Sequence, residues 1–306
     1  ALLQGRFEFQ KRWQGDNSSV TNAIELFQTA ILLDSNYANA YAELGRALIS
    51  NNDFGLASNN KRQVKLARLT INKALTLDPN NYIAILTSAI IKYKYDADFK
   101  SAETDFLRAI ELSPNNNTAY NFYGDYLRAM YRLDAALEIE GRAATLDPKS
   151  VVNAVEYALA LINVGHVEEG MNLIKIASAK NPEMPLPKLF LASQHQKSGR
   201  TEEALPLYRE LNKSPRQFYS YTYLTFLAKH GDKAALEQAL TIVKNSNNNV
   251  TFMLEIASVY LFLGEYDQST IWLNKLIKKG TSIAKISILS IFDPAKNIDH
   301  VGLNKI

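Results

Sequence analysis

LTLDPNN at Leu75–Asn81, IELSPNN at Ile110–Asn116 and ATLDPKS at Ala144–Ser150 are three copies of one phrase, with looser copies in SAKNPEM at Ser178–Met184 and LNKSPRQ at Leu211–Gln217. The five prolines of these phrases, Pro79, Pro114, Pro148, Pro182 and Pro215, stand 35, 34, 34 and 33 residues apart. Each proline follows an apolar helical pattern and stops it, because proline cannot continue a helix. A self-similar period near 34 residues predicts a stack of helix-turn-helix units. Units of this kind bury their apolar faces only against neighbours, and the stack presents an extended concave surface. That geometry suits holding another molecule better than running chemistry.

Working outward from the prolines, the repeat resembles the tetratricopeptide repeat. Its pattern asks for a bulky residue, Leu and Gly on the first helix, then Ala, an aromatic and Ala on the second, then Pro. Tyr41, Leu44, Gly45 and Leu48 open one unit, and Ala67, Ile71 and Ala74 continue it toward Pro79. An earlier unit supplies Ala23, Phe27 and Ala30, with Ser35 where proline usually stands. The interval from Ser35 to Pro79 is 44 residues, so a ten-residue insertion falls within residues 49–66.

Later units read clearly at Ala102, Phe106 and Ala109, and again at Tyr120, Tyr123, Gly124 and Leu127 with Ala136 and Ala143. Gly170 takes an alanine slot in the next. Thr201 is placed to cap a second helix with Glu202 and Glu203 in its first turn, and Pro206 falls inside that helix. The unit around Tyr221–Lys244 matches weakly, and the last recovers at Ile256, Ala257, Tyr260, Gly264 and Leu273. The expected fold is all-α: a tetratricopeptide α-solenoid, a right-handed superhelix of antiparallel helix pairs. About eight repeats occupy residues 1–283, and a C-terminal capping helix occupies 284–306.

Composition narrows the function. Apolar content of 47% with 21% charged residues is that of a folded chain. The formal charge of +3, from 34 basic and 31 acidic residues, gives no global field for nucleic acid. The chain has no cysteine, which removes disulfides and thiol chemistry. His166, His195, His230 and His300 are scattered, and no pair has the i, i+4 spacing of a helical metal site. No phosphate-binding glycine loop accompanies a strand pattern. The sequence therefore reads as non-enzymatic, with no catalytic residues, no metal and no cofactor. Its longest apolar runs are too short to span a bilayer. A start at Ala1 without methionine suggests a piece of something longer.

Binding residues are expected on the first helix of each unit, where the repeat faces its groove. The candidates are Arg46, Asn121, Asp125, Arg128, Leu159 and Leu189, joined by the aromatic residues Tyr126, Tyr219 and Tyr223. Counting along the repeat adds Ala42, Thr118, Val155, Ser193 and Leu254, making the groove polar toward the N-terminus and apolar toward the C-terminus. The partner is a protein or peptide, or a second copy of the chain. The carboxylate clamp of chaperone adaptors is missing, since its slots hold Glu8 and Arg12 in one unit and Asn121 and Asp125 in another. Lys61, Arg62, Lys65 and Arg68 form a basic cluster beside the insertion.

Four segments resemble the C-terminal tetratricopeptide region of bacterial winged-helix transcriptional activators of the CadC and HilA type. They are LLQGRFEFQKR at Leu2–Arg12, the insertion, KYKYDADFKSAETDFLRAIELSPNNNTAYNFYGDYL at Lys92–Leu127, and IFDP ending at Pro294. Asp293-Pro294 lacks the Leu-Arg that follows it in that family. The resemblance implies a sensory or oligomerising module attached to a DNA-binding domain outside this chain, on either the periplasmic or the cytoplasmic side of a bacterial membrane. The competing expectation is a free-standing scaffold for envelope or secretion proteins.

Overall fold

The computed structural model describes residues 1–14, 18–53, 60–214, 217–246 and 250–278. Among them are sixteen α-helices and no strand. They fall into two compact units, Ala1–Arg216 and Gln217–Ile306. In the first, α1 (Leu2–Gln10) packs on α2 (Ser19–Leu33), α3 (Ala38–Asp53) on α4 (Asn60–Leu77), and α5 (Tyr82–Ile91) on α6 (Phe99–Leu112). The same unit continues with α7 (Asn117–Ala129) on α8 (Leu133–Leu146), α9 (Val151–Asn163) on α10 (Val167–Lys180), and α11 (Pro185–Lys197) on α12 (Thr201–Leu211). The second unit pairs α13 (Gln217–Lys229) with α14 (Lys233–Asn245) and α15 (Val250–Phe262) with α16 (Tyr266–Lys278). Eight helix pairs are thus present among the described residues, in register with the expected repeats.

The repeated phrase does three jobs in four residues. The Asp78 carboxylate accepts from the Asn80 N–H, forming a tight local turn, and Asp147 does the same for Lys149. Proline then blocks helical continuation. The last residue caps the next helix: Asn81 accepts from Ala84 N–H, Asn116 from Ala119 N–H and Ser150 from Asn153 N–H. Each such cap is worth about 1 kcal/mol.

A second ladder, not visible in the proline reading, marks the corner within each of the six later pairs. Ala97, Tyr131, Gly165, Gly199, Gly231 and Gly264 all adopt positive φ, from 56° to 97°. After Tyr131 the chain closes with Arg132 N–H on Leu127 C=O, and after Gly165 with His166 N–H on Leu161 C=O. These are left-handed helix ends, which glycine adopts without strain and other residues do not.

The core repeats too. Ala23, Ala67, Ala102, Ala136 and Ala204 are fully buried where paired helices cross. One turn later comes a large buried residue, Phe27, Ile71, Phe106 and Tyr208, and Ile174 likewise follows Gly170; Ala136 is the exception. A methyl group on Gly5 would lie 2.6 Å from the Phe27 ring, and one on Gly45 would lie 2.6 Å from Ile71. Glycine on the first helix is therefore what lets the large side chain of the second lie flat.

The insertion lengthens both flanking helices: α3 extends to Asp53 and α4 begins at Asn60, with residues 54–59 outside the described residues. Thr201 is the first residue of α12 and not its cap, correcting that expectation, while Pro206 does lie inside α12. The expected capping helix at 284–306 lies outside the described residues.

Candidate functional site

The first helices of the N-terminal unit line a cavity of about 700 Å³, reached from α1, α3, α7 and α9. Between α5 and α6 the chain forms one π-helical turn, Lys92–Asp96, which closes on Ala97 in the left-handed conformation. This turn brings Lys94 to the cavity wall. Nothing in the local sequence announces a π-turn, so Lys94 was missing from the expected groove residues.

At the α1–α3 end, Glu43 is 1% exposed and accepts from both Arg6 Nε at 2.6 Å and Arg46 Nη2 at 2.5 Å. The guanidinium groups of Arg12 and Arg46 lie over the Phe9 ring, 4.0 and 4.7 Å from its centroid. Arg12 also donates to Phe9 C=O at 2.7 Å. A buried carboxylate and an aromatic face thus hold three arginines in one place.

At the α7–α9 end the arrangement inverts. Arg128, 14% exposed, donates to Glu156 Oε2 at 2.5 Å and Glu140 Oε1 at 3.1 Å, and lies 3.5 Å from Asp125. Burial by itself would lower the Arg128 pKa, but Glu156, Glu140 and Asp125 outweigh it and hold the guanidinium charged. Lys94 Nζ is 3.8 Å from Asp125. Asn121 Nδ2 donates to Asn153 Oδ1 at 2.7 Å, and Asn153 Nδ2 donates to Ala143 C=O at 2.9 Å. Asn121 Oδ1 is buried without a hydrogen-bond partner.

Glu140 is the outlier of the core. It stands 34 residues after Phe106 and 34 before Ile174, in the slot that the other units fill with a large apolar or aromatic residue. It is fully buried, and a methyl group on Gly124 would lie 2.2 Å from its Oε1. Its second oxygen has no hydrogen-bond partner. Burial pushes this carboxyl well above the ordinary carboxylate range; Arg128 pulls it back in part, and Glu156 and Asp125 add to the rise.

The expected binding residues divide accordingly. Arg46, Asn121 and Asp125 line the cavity, and Arg128 lies beneath it, bonded to its wall. Tyr126 is only 3% exposed; its hydroxyl donates to Phe99 C=O at 3.1 Å and its ring packs on Tyr93 and Phe106. Its expected place on the groove is therefore corrected: α6 takes its polar tip. Leu159 is half-buried against the cluster of Ala158, Ile174 and Leu191, and Leu189 is half-buried on α11. In the second unit Tyr219 is buried beside Phe218 and Tyr223 is half-buried. Ala42, Val155 and Leu254 are sealed in helix packing and contribute no surface. The basic cluster by the insertion is partly neutralised, since Arg68 pairs with Asp96.

Among the described residues, no group of three or more His, Cys, Asp or Glu side chains could hold a metal ion. No helix among them is long and apolar enough to cross a membrane.

Residues 93–151, the stretch from the π-turn into α9, match the tetratricopeptide repeat family. The fold is similar to that of the human IFIT1 dimer with m7Gppp-AAAA (TM-score 0.63, 14% identity, 87% of this chain and 69% of that one). It is also similar to yeast Tom70 (TM-score 0.54, 17% identity, 96% of this chain and 63% of that one). A thermophilic repeat protein of Thermus thermophilus is similar over 59% of this chain and 98% of its own (TM-score 0.50, 18% identity). This chain therefore spans less than two thirds of Tom70, and at these identities the likeness is one of fold. Proline-stopped helix pairs, glycine under the large residue of the partner helix, and a repeat match over the groove's centre agree on one conclusion: the fold is an all-α solenoid of the tetratricopeptide kind.

Proposed function

We propose that the groove of the N-terminal unit binds an extended segment of a partner protein, and that the chain serves as the regulatory module of a bacterial transcriptional regulator. The observation that carries the first part is the cavity itself. It is lined by as many carboxylates as cations, four of each, with asparagine and threonine between them. A polyanion such as nucleic acid would meet the carboxylates of Asp125, Asp147 and Glu156 on that wall, whereas a peptide carries donors and acceptors along its whole main chain. The oligonucleotide in the IFIT1 structure is therefore a poor guide to this groove.

The regulatory reading is supported by the resemblance of Leu2–Arg12 to the opening phrase of the winged-helix activators' repeat region. That phrase forms α1 and opens the 3-10 turn that follows it, Lys11–Gln14, and it supplies Arg6, Phe9 and Arg12 to the cavity. Ligand occupancy there would act on an attached output domain. The free-standing scaffold has no separate observation in its favour.

The groove is tested on an array of extended peptides probed with the intact chain and with the Asn121→Ala and Asp125→Ala variants. Binding that both variants weaken sustains the reading; binding that neither changes refutes it. The regulatory part is tested by the coding sequence upstream of residue 1, where a winged-helix domain is expected and a secretion signal would sink the idea.

A further inference from the structure

We infer that the groove sorts its partner by charge order: it takes an extended segment with acidic residues at the α1–α3 end and basic residues at the α7–α9 end. This rests on the peptide-binding reading above and names the peptide's chemistry. The observation is that the two ends are built as opposites. At the first, one carboxylate is sealed inside and the cations face outward: Glu43 is 1% exposed, while the side chains of Arg6 and Arg46 are 36% and 20% exposed. Arg12 stands on the same wall, so three arginines there accompany one carboxylate. At the second, the cation is the inner member: Arg128 is 14% exposed, while Asp125 and Glu156 are 34% and 22% exposed. Asp147 adds a third carboxylate to that wall.

Each buried ion fixes the outer ones. Glu43 cannot leave Arg6 and Arg46 without becoming an unpaired buried charge, which is strongly unfavourable. Arg128 sits between the fully buried Glu140 and the outer pair Asp125 and Glu156, and its charge holds that pair in place. The outward charges are therefore preorganised, and a partner need not supply the free energy to order them. The Phe9 ring lies under the faces of Arg12 and Arg46, so both guanidinium groups are held by stacking at the cavity wall.

Earlier turns of α7 present Asn117, Thr118 and Asn121 to the same cavity, uncharged groups able to bond a main chain. Lys94 stands at the border, 3.8 Å from Asp125 and over the Phe122 ring. From α3 to α7 is two helix spacings of about 9 Å each, which an extended chain covers in about five or six residues. A uniformly acidic segment would meet Asp125 and Glu156, and a uniformly basic one would meet the three arginines. Like charges brought together at an interface are costly, so the mixed segment wins over both.

Fluorescence anisotropy with labelled twelve-residue peptides tests this. One carries three glutamates and three lysines separated by six residues of serine and threonine; a second has the same composition with the charges alternating; a third carries glutamates only. The segregated peptide should bind roughly tenfold tighter than the alternating one, and its advantage should shrink at high salt. Asp125→Lys should bring the segregated peptide down to the level of the glutamate-only peptide, and Arg12→Gln should weaken both. If the segregated and alternating peptides bind alike, and both are lost with Asn121→Ala, the charge-order inference is overturned while the groove stands. If no peptide binds, or if an RNA oligonucleotide binds and the peptides do not, both fall.

Discussion

Glu140 allows the sharpest test of the packing. The perturbation is pH, and Glu140→Gln is the control, since it keeps the shape of the side chain and removes its titration. In the unfolded chain this carboxyl titrates near the ordinary value of 4.5, while burial in the fold pushes it well above. Between those two values the folded state binds more protons than the unfolded one, so stability must fall as pH rises. Below the unfolded value the two states are equally protonated and nothing is lost. Within the window each unit of pH lowers the stability of the parent chain, relative to the Gln variant, by up to about 1.4 kcal/mol. Arg128 narrows the window by favouring the charged form, so an added Arg128→Met change should widen it. Urea denaturation of parent and variant, followed by circular dichroism at several pH values from 4 to 8, measures the difference while other titrations cancel. Stability curves that stay parallel across that range would show that Glu140 titrates normally in the fold, and the account of its burial would be wrong.

Three further outcomes follow from the geometry. Tyr131→Gly should stabilise the chain by about 1 kcal/mol, because Tyr131 is 57% exposed and holds a left-handed conformation that later corners give to glycine; a lower melting temperature would contradict this. Asn153→Ala should destabilise by about 1–3 kcal/mol, since it strips the hydrogen bonds from Asn121 and from the buried end of α8; an unchanged urea midpoint would count against it. His195 is buried, and burial lowers its pKa. Its folded state therefore resists protonation, and stability should fall as pH drops below the ordinary histidine value of 6.5. A His195→Phe variant should lose that acid sensitivity; retaining it would refute the assignment.

How much was legible depended on whether a residue's role was fixed by repetition or by its neighbours. The prolines and the small residues at helix crossings repeat with the period, so the helix pairs could be counted before any coordinates. Asn121 and Asp125 were found because the groove-facing positions recur with the period as well. Glu140 was passed over although its spacing from Phe106 was in plain view: reading the unit by Ala136 and Ala143 skipped the residue between them. Tyr126 was misplaced because its direction depends on a carbonyl offered by α6, a contact between helices that no spacing encodes. Lys94 depended on a local π-turn, which changes the register without leaving a motif. The left-handed corners were hidden by Ala97 and Tyr131, where two of the six lack the expected glycine.

The four-residue phrase at Asp78–Asn81 also dictates where this chain can be cut and rejoined. Because the stop of one helix and the cap of the next share so few residues, an added residue there would damage two helices at once. The connection between Asp53 and Asn60 carries no ladder proline. That is where the chain carries its extra length, and it is the place to splice in a foreign domain, a tag or an additional repeat.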